Sequence, residues 1–309
     1  MRVLLVGATG AIGSRLVPQL ISAGYEVVGT SRSAERAKRL ALQDAHPIVL
    51  DVLDAGAVRN ALKAARPDAI VYQATALAGT RVLRSLDKAF AATNRLRTEG
   101  IDNVLAAANE VGVERVVAQS FAPYRAARTG GWVKAEDDPL DPNPPASARR
   151  TFAAMNHLDE VVTAAGGIAL RYGGFYGAGD DTLVKPVRKR RTPLVGNGQG
   201  VMSFVHLDDA ATAAVAALEH DGPGIYNIVD DDPAPMRDWV PELARIIGAK
   251  PPRHFPTAVA RLIAGAGLAM ITESRGCSNA RAKLELGWKP KYASWREGFA
   301  AAYGNGARR

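Results

Sequence analysis

The opening sixteen residues, MRVLLVGATGAIGSRL, constrain the fold more than any other stretch. Arg2 to Val6 is an aliphatic, partly β-branched run too short for a helix, and it reads as a fully buried strand. Gly7, Gly10 and Gly13 follow at three-residue spacing, and an amphipathic pattern of Ile12, Leu16, Val17, Leu20 and Ile21 begins among them. Strand, glycine turn and helix in that order form the context in which a glycine trio signals a nucleotide. Gly7 lets the chain reverse at the strand end. Gly10 lets a pyrophosphate approach bare backbone, and Gly13 lets the helix pack close to the strand. Free N–H groups and the positive end of the helix dipole then face the anion. On this reading Gly7, Thr9, Gly10, Ala11, Ile12 and Gly13 line a bound dinucleotide.

The same alternation continues. Glu26 to Thr30 is a second strand, closed by Ser31-Arg32-Ser33. A Rossmann sheet places an acidic residue here when it takes the ribose 2′-hydroxyl of NAD. This chain has Arg32, with Ser31 and Ser33 beside it and Arg36 one turn on. A guanidinium fork suits a 2′-phosphate, so NADP is expected over NAD. Pro47 to Leu50 is a third strand, and Asp51-Val52 closes it, with Asp51 placed to accept from the adenine amino group. Asp68 to Tyr72 is a fourth, followed by small residues, Gln73-Ala74-Thr75-Ala76, that let a cofactor lie against backbone. A long helix is expected over Asp87 to Val111, then a fifth strand over Glu114 to Ala118 ending at Gln119-Ser120, and a sixth over Gly167 to Tyr172. Strands alternating with helices predict an α/β fold, a doubly wound parallel sheet of about seven strands. Ligands bind at the carboxyl ends of such strands, where Gly7, Arg32, Asp51, Ala74, Ser120 and Tyr172 fall.

Trp132 to Ala148, rich in Pro and Asp, reads as a long loop, and Thr151 to Ala164 as an amphipathic helix. After Tyr172 the alternation becomes irregular: a glycine-rich bend over Gly173 to Gly179, a helix over Leu183 to Arg191, a loop over Pro193 to Ser203, and a helix reaching Leu218. The expected division is a dinucleotide-binding domain over 1–172, with 204–220 packing back on it. A smaller substrate lobe is expected over 173–203 and 221–309.

Composition narrows the class. At 47% hydrophobic and 23% charged the chain has the make-up of a globular protein, and no apolar stretch approaches a membrane span. The N-terminal apolar run is too short for a signal peptide, and a single cysteine, Cys277, gives neither a disulfide framework nor a thiolate cluster. The expected location is the cytoplasm. Net charge is +8. The densest basic run, Lys185 with Arg188 to Arg191, reads as a solvated face or a site for an anionic substrate. No nucleic-acid module accompanies it. His206 with Asp208 and Asp209 reads as helix capping and lobe packing, so no metal is expected.

Taken together, Gly7 to Gly13, Asp51, Ser120, Arg171-Tyr172-Gly-Gly-Phe-Tyr176-Gly, Phe204-Val-His-Leu-Asp-Asp209, Tyr226-Asn-Ile and Leu286-Gly-Trp-Lys-Pro290 resemble the NAD-dependent epimerase/dehydratase branch of the short-chain dehydrogenase/reductase superfamily. The resemblance spans essentially the whole chain. It implies a seven-stranded Rossmann sheet, a nicotinamide cofactor lying along Tyr172 and Tyr176, and a Ser/Tyr/Lys catalytic set. It also implies a homodimer paired through the helices near 87–111 and 151–164. Ser120 is the retained serine. The Tyr-x-x-x-Lys motif is not retained: Phe152 stands at the tyrosine position and Asn156 at the lysine position. Phenylalanine has no proton to give, and asparagine supplies no cation. Three repairs are open: Tyr124 as the acid, His157 as the acid, or a reaction that needs none. Asn156 can hydrogen-bond the ribose in place of lysine. The functions weighed are an NADP-dependent oxidoreductase acting on a carbonyl or alcohol of a small organic molecule, a sugar-nucleotide epimerase or dehydratase, and a non-enzymatic dinucleotide-binding regulator.

Overall fold

The computed structural model describes residues 1–77, 85–264 and 268–304. Seven strands form one parallel sheet: β1 (Arg2–Val6), β2 (Glu26–Ser31), β3 (His46–Val49), β4 (Ala69–Tyr72), β5 (Arg115–Phe121), β6 (Ile168–Tyr172) and β7 (Gly224–Ile228). Their order is β7-β6-β5-β4-β1-β2-β3. The chain runs outward from β1 to β3, then crosses back to β4 on the other side. That reversal opens a crevice at the strand ends next to β1. Register puts Val6 beside Tyr72 and Tyr72 beside Ala118, so Gly7, Gln73 and Gln119 lie one step beyond a common row.

Helices cover the sheet because each buries one stripe. In α1 (Gly13–Ser22) the buried residues are Gly13, Leu16, Val17 and Leu20, and Pro18 faces out. α2 (Ala34–Ala41) is capped by Ser33, whose Oγ accepts from Arg36 N at 3.3 Å. α3 (Ala55–Ala65) is capped by Asp54, which accepts from Ala57 N at 2.9 Å.

The expected single helix over Asp87 to Val111 is broken. It consists of α4 (Leu86–Ala89), α5 (Ala91–Arg95), a π-helical turn over Leu96–Gly100, and α6 (Ile101–Val111). The cause is Tyr72, whose hydroxyl donates to the Leu96 carbonyl at 2.6 Å. A β-carbon at Gly100 would lie 2.6 Å from that hydroxyl. The wide turn and the glycine together admit a buried phenol to the helix backbone. α7 (Arg149–Ala164) buries Thr151, Phe152, Ala154, Met155, Leu158, Asp159 and Val162, and α8 (Leu207–Glu219) follows β6 in the chain.

The chain divides into two compact units. The first holds 1–121, 146–171 and 210–226, and the second holds 122–145, 172–209 and 227–309. In the second, Tyr176, Phe204, Trp239, Trp295 and Phe299 form an aromatic core joined by Val240 and Leu243. Three expectations are corrected here. The glycine-rich bend after Tyr172 contains a strand, Gly174–Tyr176, paired in parallel with Phe204–His206. The Pro-rich loop contains Val133–Lys134, paired with Gly276–Cys277. Both are pairings between segments distant in sequence, with too few residues for a periodic signal. The expected helix over Leu183 to Arg191 is shorter, Val184–Arg188, and Arg190 takes a positive φ of 51° beyond its end. Among the described residues, no helix is long and apolar enough to cross a membrane.

Candidate active site

The turn after β1 is built by the contacts its glycines allow. Gly7 adopts φ +83°, and a β-carbon there would lie 2.9 Å from the carbonyl oxygen of Gln73. At Gly13 a β-carbon would overlap the carbonyl of Gly7 and lie 2.8 Å from Ala8 Cα. Glycine alone satisfies both places. Gly10 differs: within 4 Å an added β-carbon would meet only Gly7 O, at 3.2 Å, so the space before it is otherwise open. The turn closes on itself and on β2. Gly10 N donates to Gly7 O at 3.0 Å, Ala8 N to Thr30 O at 3.1 Å, and Gly7 N to Thr30 Oγ1 at 3.3 Å. Among the described residues nothing accepts from the N–H groups of Ala11 and Ile12. An exposed glycine and two spare donors at a helix N-terminus are what a pyrophosphate requires.

At the end of β2, Ser31 is buried and its Oγ lies 3.1 Å from Thr9 Oγ1. Ser31 Oγ also accepts from Ser33 N at 3.3 Å. The two hydroxyls tie the glycine turn to the β2 end, with Arg32 exposed between Ser31 and Ser33 in sequence and Arg36 exposed on the first turn of α2. No acidic side chain follows β2 before Glu35.

At the end of β3, exposed Asp51 accepts from Leu53 N at 3.1 Å, and the carbonyl of buried Val52 accepts from Asn103 Nδ2 at 2.9 Å. Gln73 is buried, and its N–H donates to Val6 O at 2.9 Å. Ala74 and Thr75 are half-buried beside it. Ala76 N donates to Thr93 Oγ1 at 3.1 Å, which anchors the segment after β4 to α5. Ser120 is buried near the end of β5, and Tyr172 is buried at the end of β6. Within the first unit, the open glycine turn with its spare N–H groups and the strand-end residues Arg32, Asp51 and Gln73 fit a nicotinamide dinucleotide.

The proton-transfer side is different. Helix α7 contains neither tyrosine nor lysine, so no register of the motif restores the pair. Phe152 is buried and Asn156 half-buried. Thr151, one residue earlier, is also buried, and its hydroxyl is committed. It donates to Asp87 Oδ1 at 2.8 Å and accepts from Asn94 Nδ2 at 3.0 Å. Asp87 also accepts from Arg150 N at 3.1 Å and Thr151 N at 2.7 Å, capping α7 from another element. Nothing in the local sequence at 149–151 signals a cap that comes from 63 or more residues away. His157 lies with its Nε2 2.8 Å from Asp102 Oδ1 on α6, a half-exposed pair on neighbouring helices. Asp159 and Arg171 form a buried ion pair, Nε to Oδ2 at 2.8 Å, that ties α7 to β6.

Tyr124 belongs to the second unit. It holds a positive φ of 68°, unusual for a bulky residue, and its hydroxyl donates to Met202 Sδ at 3.6 Å. Burial pushes its phenol above the ordinary tyrosine range. It stays protonated at neutral pH, because burial is what shifts it. Of the remaining candidates, His206 Nδ1 accepts from Asp208 N at 3.2 Å. Asp209 accepts from Lys291 N at 2.8 Å and Tyr292 N at 3.1 Å. These side chains hold segments of the second unit together.

Residues 3–229 match the NAD dependent epimerase/dehydratase family. The chain belongs to that family. It is 43% identical to the 3-diazoavenalumate denitrifying reductase of a Streptomyces species, over 97% of this chain and 99% of that one. It is 29% identical to the 2-alkyl-3-oxoalkanoate reductase of Stenotrophomonas maltophilia, over 81% of this chain and 76% of that one. A UDP-glucose 4-epimerase from Thermotoga maritima, solved with UDP-glucose, shares the fold at a TM-score of 0.76 and 21% identity, over 98% and 97% of the two chains. Reductases among the relatives and the family itself support an NAD(P)-dependent oxidoreductase, an enzyme of the extended short-chain dehydrogenase family.

Proposed function

We propose that this protein is an NADPH-dependent reductase that reduces carbon without a side-chain acid on α7, and that its substrate is a small diazo compound. The observation that carries this reading is the contrast within one unit: a glycine turn with spare N–H donors, and a helix that holds neither tyrosine nor lysine. In a carbonyl reduction the alkoxide must receive a proton, and in this family's motif the tyrosine and lysine manage it. A carbon bearing N₂⁺ makes no such demand. A reduced nicotinamide held by the glycine turn would supply a hydride, which the carbon would take as a new C–H bond while the C–N bonding pair left with dinitrogen. A neutral diazo carbon reaches the same state by taking one proton from water. The 43% identical relative, a reductase named for a diazo substrate and for denitrification, supports this class.

The chain's own residues divide the work. Gly7 to Gly13 hold the pyrophosphate, and Asp51 accepts from the adenine. Arg32 and Arg36, with the Ser31 hydroxyl, receive a 2′-phosphate, which favours NADPH. Ser120 and Asn156 donate hydrogen bonds that orient the ribose and substrate. Tyr124, locked in its protonated form, serves at most as a neutral donor.

A ketone is the second reading, favoured by the retained Ser120. The test is to supply NADPH deuterated at the transferring position with an aryl diazonium salt, and separately with a 3-oxoester. Dinitrogen release with deuterium on the former diazo carbon is expected. Turnover of the oxoester alone would replace the diazo reading with the ketone one.

A further inference from the structure

In the second unit, three consecutive aspartates leave β7 and go to different fates. The Asp231 carboxylate accepts from Asn279 Nδ2 at 2.7 Å and from Lys283 Nζ at 2.6 Å. The Asp232 carboxylate accepts from Ser294 Oγ at 2.7 Å and pairs with Arg296. Asp231 N also donates to Ala293 O at 2.9 Å. The turn thus pins two stretches of the C-terminal segment, around 279–283 and 293–296.

Asp230 points the other way. It is 2% exposed, and its backbone N–H donates to Phe204 O at 2.7 Å, which fixes it against the aromatic core. Oδ1 accepts from Asp232 N at 3.3 Å, and the backbone N–H of Trp295 also donates to the carboxyl. Oδ2 is buried with no partner among the described residues. The groups that face it offer no compensation. Its own turn brings Asp231 and Asp232, and the strand Gly174–Tyr176 brings the Tyr176 phenol. That phenol is itself buried without a partner, and it is faced by Asp209, Tyr292 and Tyr303, with the His206 ring 5.3 Å away. Lys283 and Arg296 are held by Asp231 and Asp232. An ionised carboxylate in that setting lacks both a counter-charge and a full set of donors.

We propose that Asp230 is a proton-held latch: its neutral carboxyl keeps the 230–232 turn seated, and loss of that proton frees the C-terminal segment 279–296 from the turn. Burial is the main cause of a carboxyl pushed up to about 8, with Asp232 and Asp231 adding repulsion. The sign follows from linkage. Between the unfolded carboxyl's range near 4 and the folded value near 8, the latched state holds a proton that the released state does not. Its stability therefore falls as pH rises through that window and levels off above about 8.

The test uses hydrogen–deuterium exchange on the full chain at pH 6, 7 and 8, with labelling times corrected for intrinsic exchange. In the wild type, opening of 279–296 is expected to increase by up to about tenfold per pH unit, while β1 and β4 stay constant. Asp230→Asn, which keeps the neutral form's shape, is expected to hold 279–296 closed at pH 8 as at pH 6. Uniform exchange changes across the wild-type chain, or an Asp230→Asn variant that opens in parallel with wild type, would overturn the latch. The wild-type arm stands alone if the variant does not fold.

Discussion

Gly13 and Gly7 meet so closely that a β-carbon on Gly13 would overlap the Gly7 carbonyl oxygen. The first turn of α1 therefore rests on the end of β1 with no room for a side chain, and that contact places the Ala11 and Ile12 N–H groups. Gly13→Ala should push the helix off the turn, weaken NADPH binding at least a hundredfold and lower Tm. Gly56→Ala, in the exposed first turn of α3, is the control. It should leave binding unchanged and stabilise slightly, because alanine favours helix over glycine. Calorimetric titration and thermal melts on both variants decide the matter.

Arg32 is exposed and follows Ser31, the last residue of β2, at the place where an acid would select NAD. Arg32→Ala should weaken NADPH binding by about ten- to a hundredfold and leave NADH binding within about twofold, since only the 2′-phosphate loses its fork. Equal losses for both cofactors would place Arg32 outside the site.

Asp159 and Arg171 are an ion pair buried on both sides, 2.8 Å apart, joining α7 to β6. Removing one partner breaks a buried charge pair: Asp159→Leu should cost about 3–5 kcal/mol in denaturant unfolding. The double variant Asp159→Leu/Arg171→Met should cost clearly less than the two single changes summed. Additivity within about 0.5 kcal/mol would show that the pair does not couple.

The Tyr124 phenol donates to a thioether and is held above its usual pKa. Tyr124→Phe should leave turnover within about twofold, and wild-type kcat should show no ionisation of this group from pH 6 to 9. Ser120→Ala should lower kcat/KM by about ten- to a hundredfold if its hydroxyl holds substrate. Unchanged turnover in both variants would move the reacting centre elsewhere.

The sheet was readable because its strands are buried aliphatic runs separated by helices of one period, and glycine spacing marks the turn. Ser31 and Asp51 were readable for the same reason: strand ends lie where the apolar runs stop. Thr30, Thr93 and Asp87 were not. Each acts on a partner at least 17 residues away, through a side chain that gives no local pattern. The break at Leu96–Gly100 escaped notice because helical periodicity runs through it; only the Tyr72 hydroxyl, 24 residues earlier, opens the turn. The short strand pairs of the second unit escaped because two or three residues carry no alternation. The missing proton-transfer pair, by contrast, was legible as two letters in α7.

The measurement closest to the central claim is a nucleotide inventory followed by titration. Purified protein is denatured, any released nucleotide identified, and the emptied protein titrated with NADPH and NADH. A protein that releases no tightly held NAD and binds NADPH at least about tenfold better than NADH is the predicted result. Stoichiometric NAD retained through purification would contradict it and favour an internal redox cycle of the epimerase kind.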